Sequence, residues 1–193
     1  MRTKILCLSL GISTCALAQA APRPPKVLTP DQIAYQQALT DTRAKLDKLR
    51  AAAVTAYNAE LAREKAPECP SAVTTYDINM CLSHENDLTD ANYKAYTTAL
   101  RAMLAMPVPK MPAAPDTPYV GPSGPEATPA TNTAAFDAAE AAWQTYAKAE
   151  CGAVDTYWRG GTIVNSMVGE CDLRQSRARL HELDTVYNVT HPL

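Results

Sequence analysis

Cysteine is the residue type in this 193-residue chain with the most chemistry open to it, and the spacing of its six copies narrows the choice. Cys7 and Cys15 fall within the first twenty residues, while Cys69, Cys81, Cys151 and Cys171 are spread over the remainder. There is no C-x-x-C pair, so a zinc site has little support. Two His-Glu pairs, His84–Glu85 and His181–Glu182, lack the second histidine of a metalloprotease motif, because Leu88 and Thr185 stand where it would be. Both histidines read as surface-helix residues. A G-x-S-x-G nucleophile elbow is also missing. Catalysis is therefore not expected, and neither a cofactor nor a bound metal is implied.

The first twenty residues set the meaning of the cysteines. "MRTK" is a positive start, "ILCLSLGISTCALA" an apolar stretch, and Ala18-Gln19-Ala20 a small-x-small cleavage signal. Residues 1–20 thus read as a signal peptide, and the apolar stretch is too short to span a membrane. Cys15 follows small residues, as a lipidation site would, but Thr14 stands where a smaller residue is expected, which disfavours a lipid anchor. After cleavage the chain keeps 16 basic and 20 acidic residues, a net charge of −4. Neither a basic excess nor a polybasic run points to nucleic acid or to a membrane surface. Periplasmic or secreted localisation follows. In an oxidising compartment the four remaining cysteines read as two disulfides, for which three connectivities exist.

The elements that must position these residues are helical. Residues 21–30 are proline-rich and expected to be loose. Asp31 to Lys65 is rich in Ala, Leu, Gln, Lys, Arg and Glu, with Leu39, Leu46, Leu49, Ala53, Tyr57 and Leu61 at three- and four-residue steps. A second helix is expected from about Thr74 to Met103, with Met80, Leu88, Tyr96, Leu100 and Leu104 near one face. Residues 106–129 then hold eight of the 15 prolines, so about 105–132 reads as an extended linker. Helix resumes near Thr133, with Phe136, Ala139, Trp143 and Ala147 as its stripe, and ends at Cys151. A last helix is expected from about Thr162 to Tyr187, weakened by Gly169. The fold class is all-α: a small bundle of about four helices, stapled by two disulfides and carrying a Pro-rich insertion, forming a single domain over 31–193.

On one continuous helix, Cys69 and Cys81 would lie ~18 Å apart, whereas a disulfide needs Cα atoms within roughly 7 Å. Cys69 must therefore sit in a preceding turn folded back on the helix, which Pro67 and Pro70 favour. Cys151 would close the third helix onto Cys171 if the chain turned at Gly160–Gly161. The expected pairs are Cys69–Cys81 and Cys151–Cys171, since each flanks a turn-rich segment at a helix end.

Three segments carry a resemblance. The first is "CPSAVTTYDINMC" (69–81), followed by "TDANYKAY". The second is "WQTYAKAEC" (143–151), with Ala147 and Lys148 where an Arg-Asp pair is usual. The third is "GGTIVNSMVGEC" (160–171), followed by Ser176, Arg179 and Leu183. In this order, over about 69–183, the chain resembles the LprI-type lysozyme inhibitor family of bacterial envelope and secreted proteins. The resemblance implies a four-cysteine helical domain with a protein partner, lysozyme in the specific case, and inhibition by blocking the enzyme's cleft.

Between the last two cysteines lies Tyr157-Trp158-Arg159-Gly160-Gly161-Thr162. Two readings stand. In one, an aromatic plugs the bundle end and the glycines are only a turn, since aromatics usually bury a large area. In the other, Arg159 and its neighbours form a braced, protruding loop that binds a partner, because Trp, Tyr and Arg are the usual anchors and a braced loop has little ordering entropy left to lose.

Overall fold

The computed structural model describes residues 28–112 and 127–191. Both the expected signal peptide (1–20) and the centre of the Pro-rich insertion lie outside the described residues. Four helices make up the described chain: α1 (Pro30–Glu64), α2 (Thr75–Leu104), α3 (Pro129–Trp158) and α4 (Val164–Tyr187). Among the described residues there is no strand.

Local chemistry explains the helix starts. Thr29, Thr74 and Thr128 each cap a helix, accepting from the backbone N–H three residues on, at Gln32, Asp77 and Thr131. In each case the third residue returns the bond, giving three capping boxes. α1 and α3 also place proline in the first turn, where its missing N–H costs nothing. This is why α3 starts at Pro129, four residues before the start expected from composition. At its other end α3 continues to Trp158, past the expected end at Cys151, because the isolated Gly152 does not break a run of helix formers.

Side-chain contacts fix the topology. Tyr57 of α1 meets Tyr96 of α2, and Arg63 donates to Glu85, so α1 and α2 are antiparallel. Cys151–Cys171 and Phe136–Tyr187 make α3 and α4 antiparallel. Asn79 meets Ser166, Asn86 donates to the Gly169 carbonyl, and Tyr96 donates to Asp184, so α2 and α4 run parallel. The bundle is up-down-up-down, with α2 and α4 packed along its short diagonal. Gly169 lies in this seam, where a Cβ would stand 3.4 Å from Leu82 Cβ, an ordinary van der Waals contact.

One core joins all four helices: Ala53 and Ala56 of α1, Tyr96, Ala99 and Leu100 of α2, Phe136 of α3, and Leu180 and Leu183 of α4, with Val189 beyond. The α1 stripe is buried only where it meets this core, whereas Leu39, Leu46 and Leu49 stay half-buried. On α2 the buried face runs through Leu82, Thr89, Tyr96, Ala99 and Leu100. Met80 and Leu88, expected on that face, are exposed.

Both expected disulfides are present. Cys69 takes φ 50°, which folds the chain back and brings its Cα within 5.8 Å of that of Cys81. Cys151 and Cys171 lie 5.6 Å apart, Cα to Cα. Because α1 and α3 point the same way, both disulfides and both hairpin turns sit at one end of the bundle, called here the turn end.

Candidate functional site

The last turn of α3 and the five residues that follow form the tip of the second hairpin. Arg159 leaves the helix with φ −56° and ψ 130°. Gly160 then takes φ 89°, a conformation that favours glycine. Gly161 donates from its N–H to the Trp158 carbonyl at 3.0 Å, closing the turn. Gly160, not Gly161, is therefore the positive-φ residue; at Gly161 a Cβ would instead press on the Trp158 carbonyl at 3.2 Å.

The two aromatics separate. Tyr157 is 80% exposed, whereas Trp158 is half-buried, and the rings meet edge to face at 5.2 Å. Trp158 lines a cleft of about 620 Å³ over α4, bounded by Glu64 at the end of α1, Glu68 in the turn that follows it and Val154 of α3. Glu170, Arg174 and Arg177 complete its charged lining. The Arg159 side chain is 70% exposed, and its Nη2 lies 2.8 Å from Asp155 Oδ2 one turn back. Such an exposed pair contributes at most about 1 kcal/mol, so the guanidinium is readily exchanged to another carboxylate. Thr162 is exposed. Cys151–Cys171 braces the tip about two turns below it. Both sequence readings thus hold in part: Trp158 packs against the bundle, while Tyr157 and Arg159 project from it.

Beneath the cleft lies a polar network that the sequence reading missed. Arg177 donates through Nε to Glu60 at 2.8 Å and through Nη1 to Glu68. Glu60, 1% exposed, also accepts from Thr89 and Asn92. Burial alone would raise the Glu60 pKa, but hydrogen bonds from Asn92, Arg177 and Thr89, with the nearby Arg63 charge, outweigh it and hold the carboxyl below its ordinary value. For Arg177 burial works against the charge, and the Glu60 and Glu68 carboxylates reverse that and push its pKa up. His181 is not a free surface residue. Its Nε2 lies 2.9 Å from Glu64 and its Nδ1 3.0 Å from the Tyr57 hydroxyl, tying α4 to α1. His84 is exposed, as expected.

The first hairpin adds residues to the same end. Val73, Tyr76 and Met80 are 88%, 71% and 56% exposed. A competing stripe through Asn79, Leu82 and Asn86, which meets α4, marks these three as outward-facing. That stripe is visible in the sequence once Thr74 is fixed as the cap.

A family model described as "Lysozyme inhibitor LprI" matches residues 66–183. The chain belongs to this family. The match takes in the four disulfide cysteines, both hairpin turns and all of the cleft lining except Glu64, and it leaves out α1, which ends at that residue. Among curated proteins and among solved structures, none matched. The family is described by inhibition and not by a catalysed reaction, and the two disulfides of this chain fit an oxidising compartment. Among the described residues no helix is long and apolar enough to cross a membrane.

Proposed function

We propose that the chain is a periplasmic or secreted binding module that inhibits lysozyme by seating the Tyr157–Thr162 tip in the enzyme's cleft. The observation that carries this reading is the tip itself: an exposed tyrosine and arginine on a closed turn, braced by Cys151–Cys171. Lysozymes hold an acidic pair of carboxyls in a sugar-binding cleft. A guanidinium held only by one exposed carboxylate suits that pair, and a pre-organised turn reaches it with little loss of entropy.

The test is Arg159→Ala, with lysozyme inhibition and thermal melting measured together. Weakening by ~2 kcal/mol is expected for a central anchor, with the melt unchanged. Unchanged inhibition and an unchanged melt would remove Arg159 from the site. Parallel loss of both would make it a structural residue.

A second reading, a non-inhibitory envelope-associated interaction protein, is favoured by α1. Antiparallel pairing with α2 brings Leu104 level with about residue 47, so the first turns of α1 run past the end of α2. Deleting residues 28–45 should spare lysozyme inhibition under the first reading and abolish partner binding under the second.

A further inference from the structure

The turn end carries more than the Tyr157–Thr162 tip, and its two hairpins are in register. Asn79 Oδ1 accepts from Ser166 Oγ at 2.7 Å, setting the first turn of α2 against the first turn of α4. Tyr76 lies one helical turn, about 5 Å, outward from Asn79, and Ile163 the same step outward from Ser166. Tyr76 and Ile163 therefore stand at one level on neighbouring helices, and Val73, Met80 and Tyr157 belong to the same end of the bundle. All five side chains are exposed. Exposed apolar residues scattered singly need no explanation, but a group gathered at one rigid end marks an interaction surface. Rigidity here has a physical source: each hairpin turn is closed by its own disulfide.

Charge identifies the occupant. Residues 58–90 and 148–178, which form the turn-end half, carry eleven carboxylates against six Lys and Arg. The rest of the described chain carries seven carboxylates against eight Lys and Arg. The bundle is thus electrically polar along its axis, with an excess of five negative charges at the apolar-studded end. Glu150 and Glu170 at that end are exposed and make no ion pair among the described residues. A second copy of the chain would bring two acidic ends together, which their repulsion opposes. A basic partner gains both steering and contact.

We propose that the turn end is a composite docking face for a basic protein, in which Val73, Tyr76 and Met80 of the first hairpin bind together with Tyr157 and Ile163 of the second. The proposal rests on the inhibitor reading only for its choice of lysozyme as probe, and it places half of the contact on a hairpin which that reading does not use.

The experiment measures two quantities on the full mature chain: the dissociation constant for a basic lysozyme, and inhibition of that enzyme's lytic activity. The variants are Tyr76→Ala/Met80→Ala, Glu150→Lys/Glu170→Lys, and Val186→Ala as a control, because Val186 is exposed at the opposite end. The expected result is at least about tenfold weaker binding for the apolar pair, as for interface anchors. The charge pair should weaken binding most at low salt and much less at high salt. Val186→Ala should bind as the parent does, and all melts should match. Binding that is unaffected by Tyr76→Ala/Met80→Ala overturns the composite face while leaving inhibition through the Tyr157–Thr162 tip intact. Binding that is sensitive to the pair, with no inhibition by the parent chain, supports the face and removes the inhibitor reading. No binding by the parent removes both. Sedimentation that shows a parent dimer abolished by Tyr76→Ala/Met80→Ala also overturns the proposal, since the occupant would then be a second copy.

Discussion

Removing the Arg177 guanidinium would take from Glu60, a carboxylate 1% exposed between α1, α2 and α4, one of its two cationic partners and leave it Arg63 Nε at 3.3 Å. Breaking one side of a buried pair costs about 3–5 kcal/mol, because the other charge remains desolvated, whereas replacing both partners by apolar groups is often near neutral. Arg177→Met should therefore destabilise in urea melts, by less than that range because Arg63 still faces Glu60, and Glu60→Leu/Arg177→Met should recover part of the loss. The same site predicts a pH dependence. The Glu60 pKa is lower in the fold than its ordinary value of 4.5. Its contribution is then fully present above about pH 4.5 and disappears as pH falls through the lower, folded value. The parent should lose this increment on acidification, and Glu60→Leu/Arg177→Met should not. Asp172, on the surface, has the opposite sign, since partial desolvation and then the neighbouring Asp90 raise its pKa. Its ionised form opposes folding at neutral pH, and the penalty vanishes as pH falls below the ordinary carboxylate range. Asp172→Asn should thus stabilise slightly at pH 7, by less than about 1 kcal/mol for so exposed a group, and be neutral near pH 3. None of this network was legible in the sequence. Glu60 and Arg177 are 117 positions apart, and each reads by itself as a solvated charge on a helix.

At the scale of elements, the turns decide what the helices present. Gly160 holds φ 89° at the head of the second turn, and an L side chain forced into the left-handed region costs about 1–2 kcal/mol. Gly160→Val should lower the melting temperature and loosen the Tyr157–Thr162 tip, detected as faster amide exchange at Gly161, whose N–H closes the turn. Helix existence and the order of elements were legible because they rest on local chemistry, namely helix formers and the prolines that stop them, while the cap of α2 was legible only as Thr74 or Thr75, of which Thr74 caps. The end of α3 was not. Cys151 looked like a terminus because a disulfide partner lay beyond the glycines, yet nothing in Gly152 to Trp158 forbids helix. The two extra turns carry Tyr157 and Trp158 out to the tip. On α2 the expected face held at Tyr96, Leu100 and Leu104 but missed at Met80 and Leu88 for a related reason. Met80 and Leu88 are apolar, but the helix approaches α4 through Asn79, Leu82 and Asn86, and apolar type alone does not choose between two stripes.

For the whole molecule, the Pro-rich insertion left open how the two hairpins associate, since so long a connection reaches a parallel or an antiparallel neighbour equally well. Tertiary contact settles it: α2 lies parallel to α4, which puts both disulfides at one end and makes the charge polarity possible. That arrangement carries a test of the single-domain expectation. The α2–α4 seam holds Leu82 against Gly169, the bond between Asn79 and Ser166, and Tyr96 on Asp184, while the buried core draws on all four helices. Neither hairpin can bury its share of that core alone. A protease site placed between Pro112 and Ala127 should therefore cut the backbone without separating the halves. They should co-elute in gel filtration under native conditions and part only in denaturant. The cut chain should also melt at a lower temperature when diluted, because its two pieces now associate as separate molecules and mass action enters their stability. Native separation into an α1–α2 piece and an α3–α4 piece would mean that each hairpin, with its own disulfide, folds by itself. The composite face would then have no fixed register between Tyr76 and Ile163.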